Sequence, residues 1–221
     1  MWVNLGVTRI IDLSMPLYTG LPVFEGYPVP VVHEWTSIGR HGYYSNILIL
    51  VEHTGTHVDA PAHFIENAPT IDEVPLERFM GKGLVVDVSM LGEKEEIKAE
   101  HIIEAEQRFN IRVGEGWIVL FYTGYDKYVG SRKWYDHPGL GEKAARFLVE
   151  RGVNAVGIDA PSIDHEPFPA HKTLLPNNIV IYENLTNLDK IKDKAGFMVY
   201  GFPLKIRGGS ASPVRVIAVI D

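Results

Sequence analysis

Apolar residues along this chain gather mostly in short runs, and a helical repeat is the exception. Arg9–Leu13, Val31–Trp35, Tyr44–Val51, Gly83–Val88, Trp117–Tyr122 and Asn154–Ile158 are rich in β-branched and aromatic residues. Asn178–Tyr182, Gly196–Tyr200 and Val214–Ile220 have the same character, so these nine segments are expected as strands. Several are continuously apolar, as strands buried on both faces are. Two segments carry the helical period instead. Lys98–Phe109 sets Ile102, Ile103 and Ala105 apart from Glu100, Glu104 and Gln107. Glu142–Arg151 repeats Ala144, Ala145, Phe147 and Leu148 at helical spacing, with Gly152 placed to end it. A shorter helical turn is expected after Asp72, whose side chain could cap it. The second helix leads directly into the strand at Asn154, an ordinary αβ junction. The pattern predicts one α/β domain over residues 1–221, rich in strands, with two or three helices.

Length and composition narrow the possibilities further. A chain of 221 residues suffices for one sizeable core. No repeat or Gly/Ser-rich linker divides it, and no run approaches the roughly 20 apolar residues of a membrane span. The N-terminus lacks a charged-then-apolar leader, so a cytoplasmic protein without a membrane partner is expected. The formal net charge is −7 with both signs interspersed, which argues against a nucleic-acid partner; a small-molecule substrate is expected from the residues considered next. There are no cysteines. Thiolate metal sites, disulfides and a cysteine nucleophile are excluded, and any metal must be held by His, carboxylates, carbonyls and water.

The most informative stretch is Val51-Glu-His-Thr-Gly-Thr-His-Val-Asp-Ala-Pro-Ala-His-Phe64. Gly55, Thr56, Val58 and Pro61 disfavour a helix. The strand-like run before it predicts an extended chain or a loop leaving a strand. His53, His57, Asp59 and His63 all occupy odd positions, so an extended chain points all four the same way. A helix would scatter them. Gly55, between two of them, is expected to leave room for an ion or substrate. Two His and a carboxylate suit Zn²⁺ or Mn²⁺, and three protein ligands leave a metal open for catalysis. The pattern differs from the helical H-E-x-x-H zinc site, because the Glu is absent. Further ligands can come from His33, His41, His101, His137, His165 or His171. His33 and His41 flank a turn-rich stretch, and His101 falls on the polar side of a helix. Glu183 closes the apolar run Ile179–Tyr182, a common place for a functional charge in α/β folds. Spacing alone does not choose between His165 and His171.

The motif His53-Thr-Gly-Thr-His57-Val-Asp59-Ala-Pro61-Ala-His63-Phe64 resembles the signature of the cyclase-like metal hydrolases, a family that includes bacterial kynurenine formamidase and isatin hydrolase. Ile11-Asp-Leu-Ser14, Leu21-Pro-Val-Phe24, Gly157-Ile-Asp159-Ala-Pro-Ser162-Ile-Asp164, the pair His171 and Glu183, and the tail from Gly201 to Arg215 extend the resemblance over nearly the whole chain. The resemblance implies a swivelling β/β/α fold assembled as a homodimer or homotetramer. It implies two divalent ions per chain, Zn or Mn, with Asp59 bridging them. His53 and His57 would serve one side, and His171, in preference to His165, would serve the other with Glu183. His63 matches the general acid/base. Phe24 stands in the substrate loop where formamidases carry an aromatic, and Glu25-Gly26-Tyr27 replaces their Pro-Gly-Asp. The implied activity is that of an arylformamidase-like amidohydrolase, in which metal-activated water attacks a small amide, such as an arylformamide or a cyclic amide. Two other readings use the same scaffold. A metal-dependent lyase or isomerase would stabilise an enolate, and a non-catalytic protein would bind metal or ligand without turnover.

Overall fold

The structure, a computed structural model, describes residues 9–220. Its strands are β1 (Arg9–Asp12), β2 (Val31–Thr36), β3 (Ser45–Ile49), β4 (His57–Asp59), β5 (Met80–Asp87), β6 (Glu96–Ile97), β7 (Trp117–Tyr122), β8 (Gly139–Leu140), β9 (Ala155–Ile158), β10 (Val180–Glu183), β11 (Ala195–Tyr200), β12 (Ala211–Pro213) and β13 (Ile217–Ile220). Its helices are α1 (Ile38–His41), α2 (Ala99–Phe109), α3 (Glu142–Arg151) and α4 (Pro169–Leu174). No helix among the described residues is long and apolar enough to cross a membrane.

Nine strands form one sheet in the order β1-β13-β11-β5-β7-β9-β10-β4-β12. Its centre, β5-β7-β9-β10, is parallel, and α2, α3 and α4 lie in the crossovers, as parallel connections require. Alternation assigns the two faces. Leu84, Val86, Val119, Phe121, Val156 and Ile158 pack with Ile102, Ala144, Leu148 and Leu174 on the helical face. Val85, Ile118, Leu120 and Tyr182 turn the other way and meet Ile11, Val58, Phe197 and Ala218. The second group joins residues from both ends of the strand order, so the sheet is curled around it. Gly157 lets Leu120 and Leu185 pack closely against its strand. A Cβ there would meet Leu120 and Leu185 Cδ atoms at 2.8 Å. Fully burying each large aliphatic side chain is worth about 1.5–3 kcal/mol, and both faces of the central strands are filled.

All nine expected strands are present. The four that the pattern did not reveal, β4, β6, β8 and β12, have only two or three residues, too few to display alternation. Both expected helices form, and Gly152 closes α3 at φ +68°. Helices α1 and α4 are additional and short. Asp72 does not cap a helix. Its Oδ1 accepts from Thr70 Oγ1 and the Gly208 amide, and the turn that follows is a 3₁₀ segment over Leu76–Phe79. His101 is more than a solvated side chain, because its Nδ1 accepts from the Lys98 amide at the start of α2. The larger departure is β2–β3, a separate two-stranded hairpin. The apolar run at Tyr44–Val51 is therefore not a core strand, and Ile49 is 64% exposed.

Candidate metal centre

Strand β4 lies between β10 and β12, with His57 opposite Glu183 in one ladder and Asp59 opposite Ala211 in the other. Cross-strand partners share a face, so His57 and Glu183 stand side by side. Val58 and Tyr182 point into the core behind them. The side chains then converge. Asp59 Oδ1 lies 2.9 Å from His53 Nδ1 and 3.4 Å from His57 Nε2. Asp59 Oδ2 lies 3.6 Å from His171 Nε2. Glu183 reaches His57 Nε2 at 3.4 Å with one oxygen and His171 Nε2 at 3.3 Å with the other.

Surrounding groups fix which atom each residue presents. His57 Nδ1 donates to the Gly55 carbonyl at 2.8 Å, leaving Nε2 for the centre. His171 Nδ1 donates to Asp164 Oδ1 at 2.6 Å, and Asp164 Oδ2 accepts from the amides of Ala170 and His171. A carboxylate behind a ligating imidazole sets its orientation and raises its basicity. Glu183 Oε1 accepts from the Ile163 amide at 2.7 Å. His53 Nε2 pairs with Ser210 Oγ at 3.2 Å. Glu52 in turn accepts from the Ser210 amide and hydroxyl.

His57 Nε2 and both Asp59 oxygens are buried with no hydrogen-bond partner. A carboxylate 0% exposed and without donors is costly to bury. A cation at the convergence point removes that cost, and the all-nitrogen-and-oxygen donor set suits a divalent metal. Two groups have ligand atoms close enough to share one ion: His53 with His57 and Asp59, and Asp59 with His63 and His171. The electrostatics agree. Burial works against a charged His57, but the Asp59 and Glu183 carboxylates facing its Nε2 at 3.4 Å outweigh it and lift His57 to about 10. His171 is raised for the same reasons, with Asp164 contributing most against its burial. Burial pushes Asp59 upward, yet the charge of His53 and the nearby His171 and His57 imidazoles hold it well below the usual carboxylate range.

His63 ends a 3₁₀ turn over Pro61–His63, its ring centroid 4.0 Å from that of His53 and 5.9 Å from that of His171. Burial pulls it down to about 4, so it is neutral at pH 7. The cavity above has a volume of about 260 Å³. The centre's side chains and Asn184 form its polar part, and Phe24, Tyr27, Phe64, Pro161 and Phe168 its apolar walls. Tyr27 lies nearly parallel over His53 at 5.9 Å and 14°. Phe64 stacks on His171 at 4.6 Å. Tyr135 donates its hydroxyl to the Val23 carbonyl and pins the segment carrying Phe24.

The shared face of the motif arises differently from the alternation argument. Only His57–Asp59 is a strand; a turn delivers His53 and the 3₁₀ segment delivers His63. Gly55 does not make room for an ion. At φ +64° its missing Cβ leaves space for Leu17, whose Cδ2 would lie 2.7 Å away. His165 stacks on His137 at 4.3 Å outside the cavity and bonds to the His137 carbonyl. His33 and His41 lie in the hairpin region. Asp164, Ser210, Tyr27 and Phe168 carried no assigned role in the sequence: Ser210 and Tyr27 meet His53 from distant segments, Phe168 meets Phe64 across the cavity, and Asp164 reaches His171 only because the chain between them turns into α4. Asp159 is a loop anchor: it accepts from Thr123 and Gly124, and burial pushes it up to about 7.

A family profile described as "Putative cyclase" matches residues 11–165. The kynurenine formamidase of Salinibacter ruber is 35% identical over 218 residues, covering 94% of this chain and 96% of that protein. Isatin hydrolase A from Labrenzia aggregata, solved with benzyl benzoate bound, superposes with a TM-score of 0.88 at 30% identity over 96% of this chain and 94% of that one. A structure described as a potential metal-dependent hydrolase with cyclase activity superposes at 0.77 and 29% identity, over 96% and 98% of the two chains.

Proposed function

This chain belongs to the cyclase family, and from that premise we infer that it is a metal-dependent hydrolase of small amides. The observation that carries this is the set of unpartnered buried atoms on His57 and Asp59, lying beneath an aromatic cavity with a neutral His63 in its wall. His53, His57, Asp59, His171 and Glu183 would hold the metal. Two ions, Zn²⁺ or Mn²⁺, are the reading favoured by Asp59, which turns one oxygen to His53 and His57 and the other to His171. A divalent ion supplies polarisation of a carbonyl and brings the pKa of water down to roughly 7.

The protein's own groups do the rest. Phe24, Tyr27, Phe64 and Phe168 hold a flat apolar substrate and exclude water from its faces. An arylformamide or a cyclic aryl amide fits such walls, which is also the chemistry in the names of the relatives. As water adds to the carbonyl carbon, neutral His63 accepts a proton at its free ring nitrogen. It returns the proton to the leaving nitrogen as the C–N bond breaks. Asp164 keeps the His171 imidazole oriented throughout. Asp59 and Glu183 stay ionised, because their pKa values are depressed.

Metal content and hydrolysis of N-formylkynurenine, isatin and simple formamides are the test, run on the wild type and on His57→Ala. Bound metal and turnover are expected to disappear together in the variant. A wild type that binds no metal, or that binds metal and hydrolyses none of these amides, would overturn the reading.

A further inference from the structure

The metal cavity is small for a complete substrate site. It holds about 260 Å³, whereas sites for small molecules run from roughly 300 to 1,000 Å³. A larger hollow of about 850 Å³ adjoins it. Phe24 and Pro161 line both spaces, so they stand on the boundary between them. Two loops carry that boundary. In the first, Tyr27 faces the metal cavity and Glu25 the outer hollow. In the second, which follows β9, Ser162 lies inside, while His165 and Glu166 lie outside. Tyr135, in the outer wall, holds the first loop through its bond to the Val23 carbonyl at 2.8 Å.

The two spaces differ in chemistry. The inner walls are aromatic, and the outer ones are charged. Lys94 and Asp136 neutralise each other there at 3.0 Å. Arg132, Glu25 and Glu166 have no ion-pair partner among the described residues, and all three are exposed where they line the hollow. An unpaired guanidinium beside unpaired carboxylates complements a group that carries both signs. The guanidinium fork grips a carboxylate through two parallel hydrogen bonds, which an ammonium cannot do. We propose that the outer hollow is a subsite for the tail of the substrate, and that the chain selects aryl amides bearing an α-amino-acid side chain. The ring lies among the aromatics of the metal cavity. The tail passes Phe24 and Pro161, sets its carboxylate on Arg132 and turns its ammonium toward Glu25 and Glu166. The placing of the ring and amide rests on the hydrolase reading; recognition of the tail needs no turnover and can be measured alone.

A matched pair of molecules tests this. Kynurenine and 2-aminoacetophenone share a ring and an ortho carbonyl, and only the first has the tail. Their affinities are measured by calorimetry, and kcat and KM are measured for their N-formyl derivatives. The proteins are the wild type, Arg132→Ala, Arg132→Lys and Arg146→Ala, an exposed arginine on α3 that lines neither space. The wild type is expected to bind the tailed molecule about tenfold more tightly. Arg132→Ala should lose most of that preference, through KM and not kcat; Arg132→Lys should recover part of it, and Arg146→Ala should keep it. Equal affinity of the wild type for the two molecules overturns the proposal. So does a preference that survives Arg132→Ala, or one that Arg146→Ala removes equally. A wild type that prefers kynurenine and hydrolyses neither formamide would leave the subsite standing and remove the hydrolase reading.

Discussion

Strands β3 and β4 follow one another in the chain and invert the usual rule in opposite directions. In β3, Ile47, Leu48 and Ile49 are apolar and exposed, while in β4, two of three residues are ionisable and all three are buried. Hydrophobicity alone predicts the reverse for both. Exposed large apolar surface and buried polar groups are the informative exceptions in a folded protein. Here β3 belongs to a two-stranded hairpin outside the main sheet, while the buried groups of β4 converge where they could hold a metal ion.

Substitutions can break this contrast or sharpen it. The largest effect is expected from Asp59→Ala, which removes the carboxylate that faces His53, His57 and His171 together. Turnover should fall by roughly a thousandfold or more together with metal content, read by elemental analysis and initial rates; a variant that keeps its metal would show that β4 is polar for another reason. Next is His63→Ala, which should retain metal and lose turnover by about a hundredfold or more; near-normal rates would remove His63 from the chemistry. Asp164→Asn keeps the fold but weakens the hold on His171, and metal affinity measured by competition with a chelator should fall by roughly 10–100-fold. Unchanged affinity would reduce Asp164 to a loop anchor.

The pH response is a finer probe. In the metal-free protein His57 is raised to about 10 and Glu183 lowered to about 2. The His57 contribution to stability is full below its unfolded value near 6.5 and is lost as pH rises through about 10. The Glu183 contribution is full above its unfolded value of 4.5 and is lost as pH falls through about 2. From these two groups the metal-free protein should melt highest between about pH 4.5 and 6.5, while metal affinity rises with pH because the metal must displace the His57 proton. Melting temperature and calorimetric proton release check both signs. The smallest effect is expected at the surface: Leu48→Thr should change the stability of the isolated chain by no more than about 0.5 kcal/mol. At buried Val58 the isosteric Val58→Thr should cost about 1–3 kcal/mol by stranding a hydroxyl in the core. Equal costs in denaturant titrations would mean that the two strands are alike after all.

Legibility in the sequence followed the same divide. Long strands and two regular helices declared themselves by period, because their burial pattern repeats over enough residues to be read. Helix α4 did not, since it spans six residues behind a proline, yet it carries His171. The residues of the motif were readable by type and spacing, but their convergence came from a turn, a three-residue strand and a 3₁₀ segment instead of one extended run. Ser210 and Tyr27 meet His53 from distant parts of the sequence, and Asp164 reaches His171 only through the irregular turn into α4, so no periodic pattern encodes these contacts. The exposed run at Tyr44–Val51 read as core because apolar sequence reports that a surface is to be covered, without saying by what.

The position of β4 between β10 and β12 also bears on the order in which the molecule is assembled. The backbone partners of Val58 are Tyr182 and Ser212, which the ribosome makes more than a hundred residues later. Closing such long loops is slow and entropically costly. A nascent chain that has exposed the His53–His63 motif therefore has no complete centre to offer a metal until β10 and β12 have emerged as well. Metal loading belongs to the end of folding, as a seal on a completed sheet.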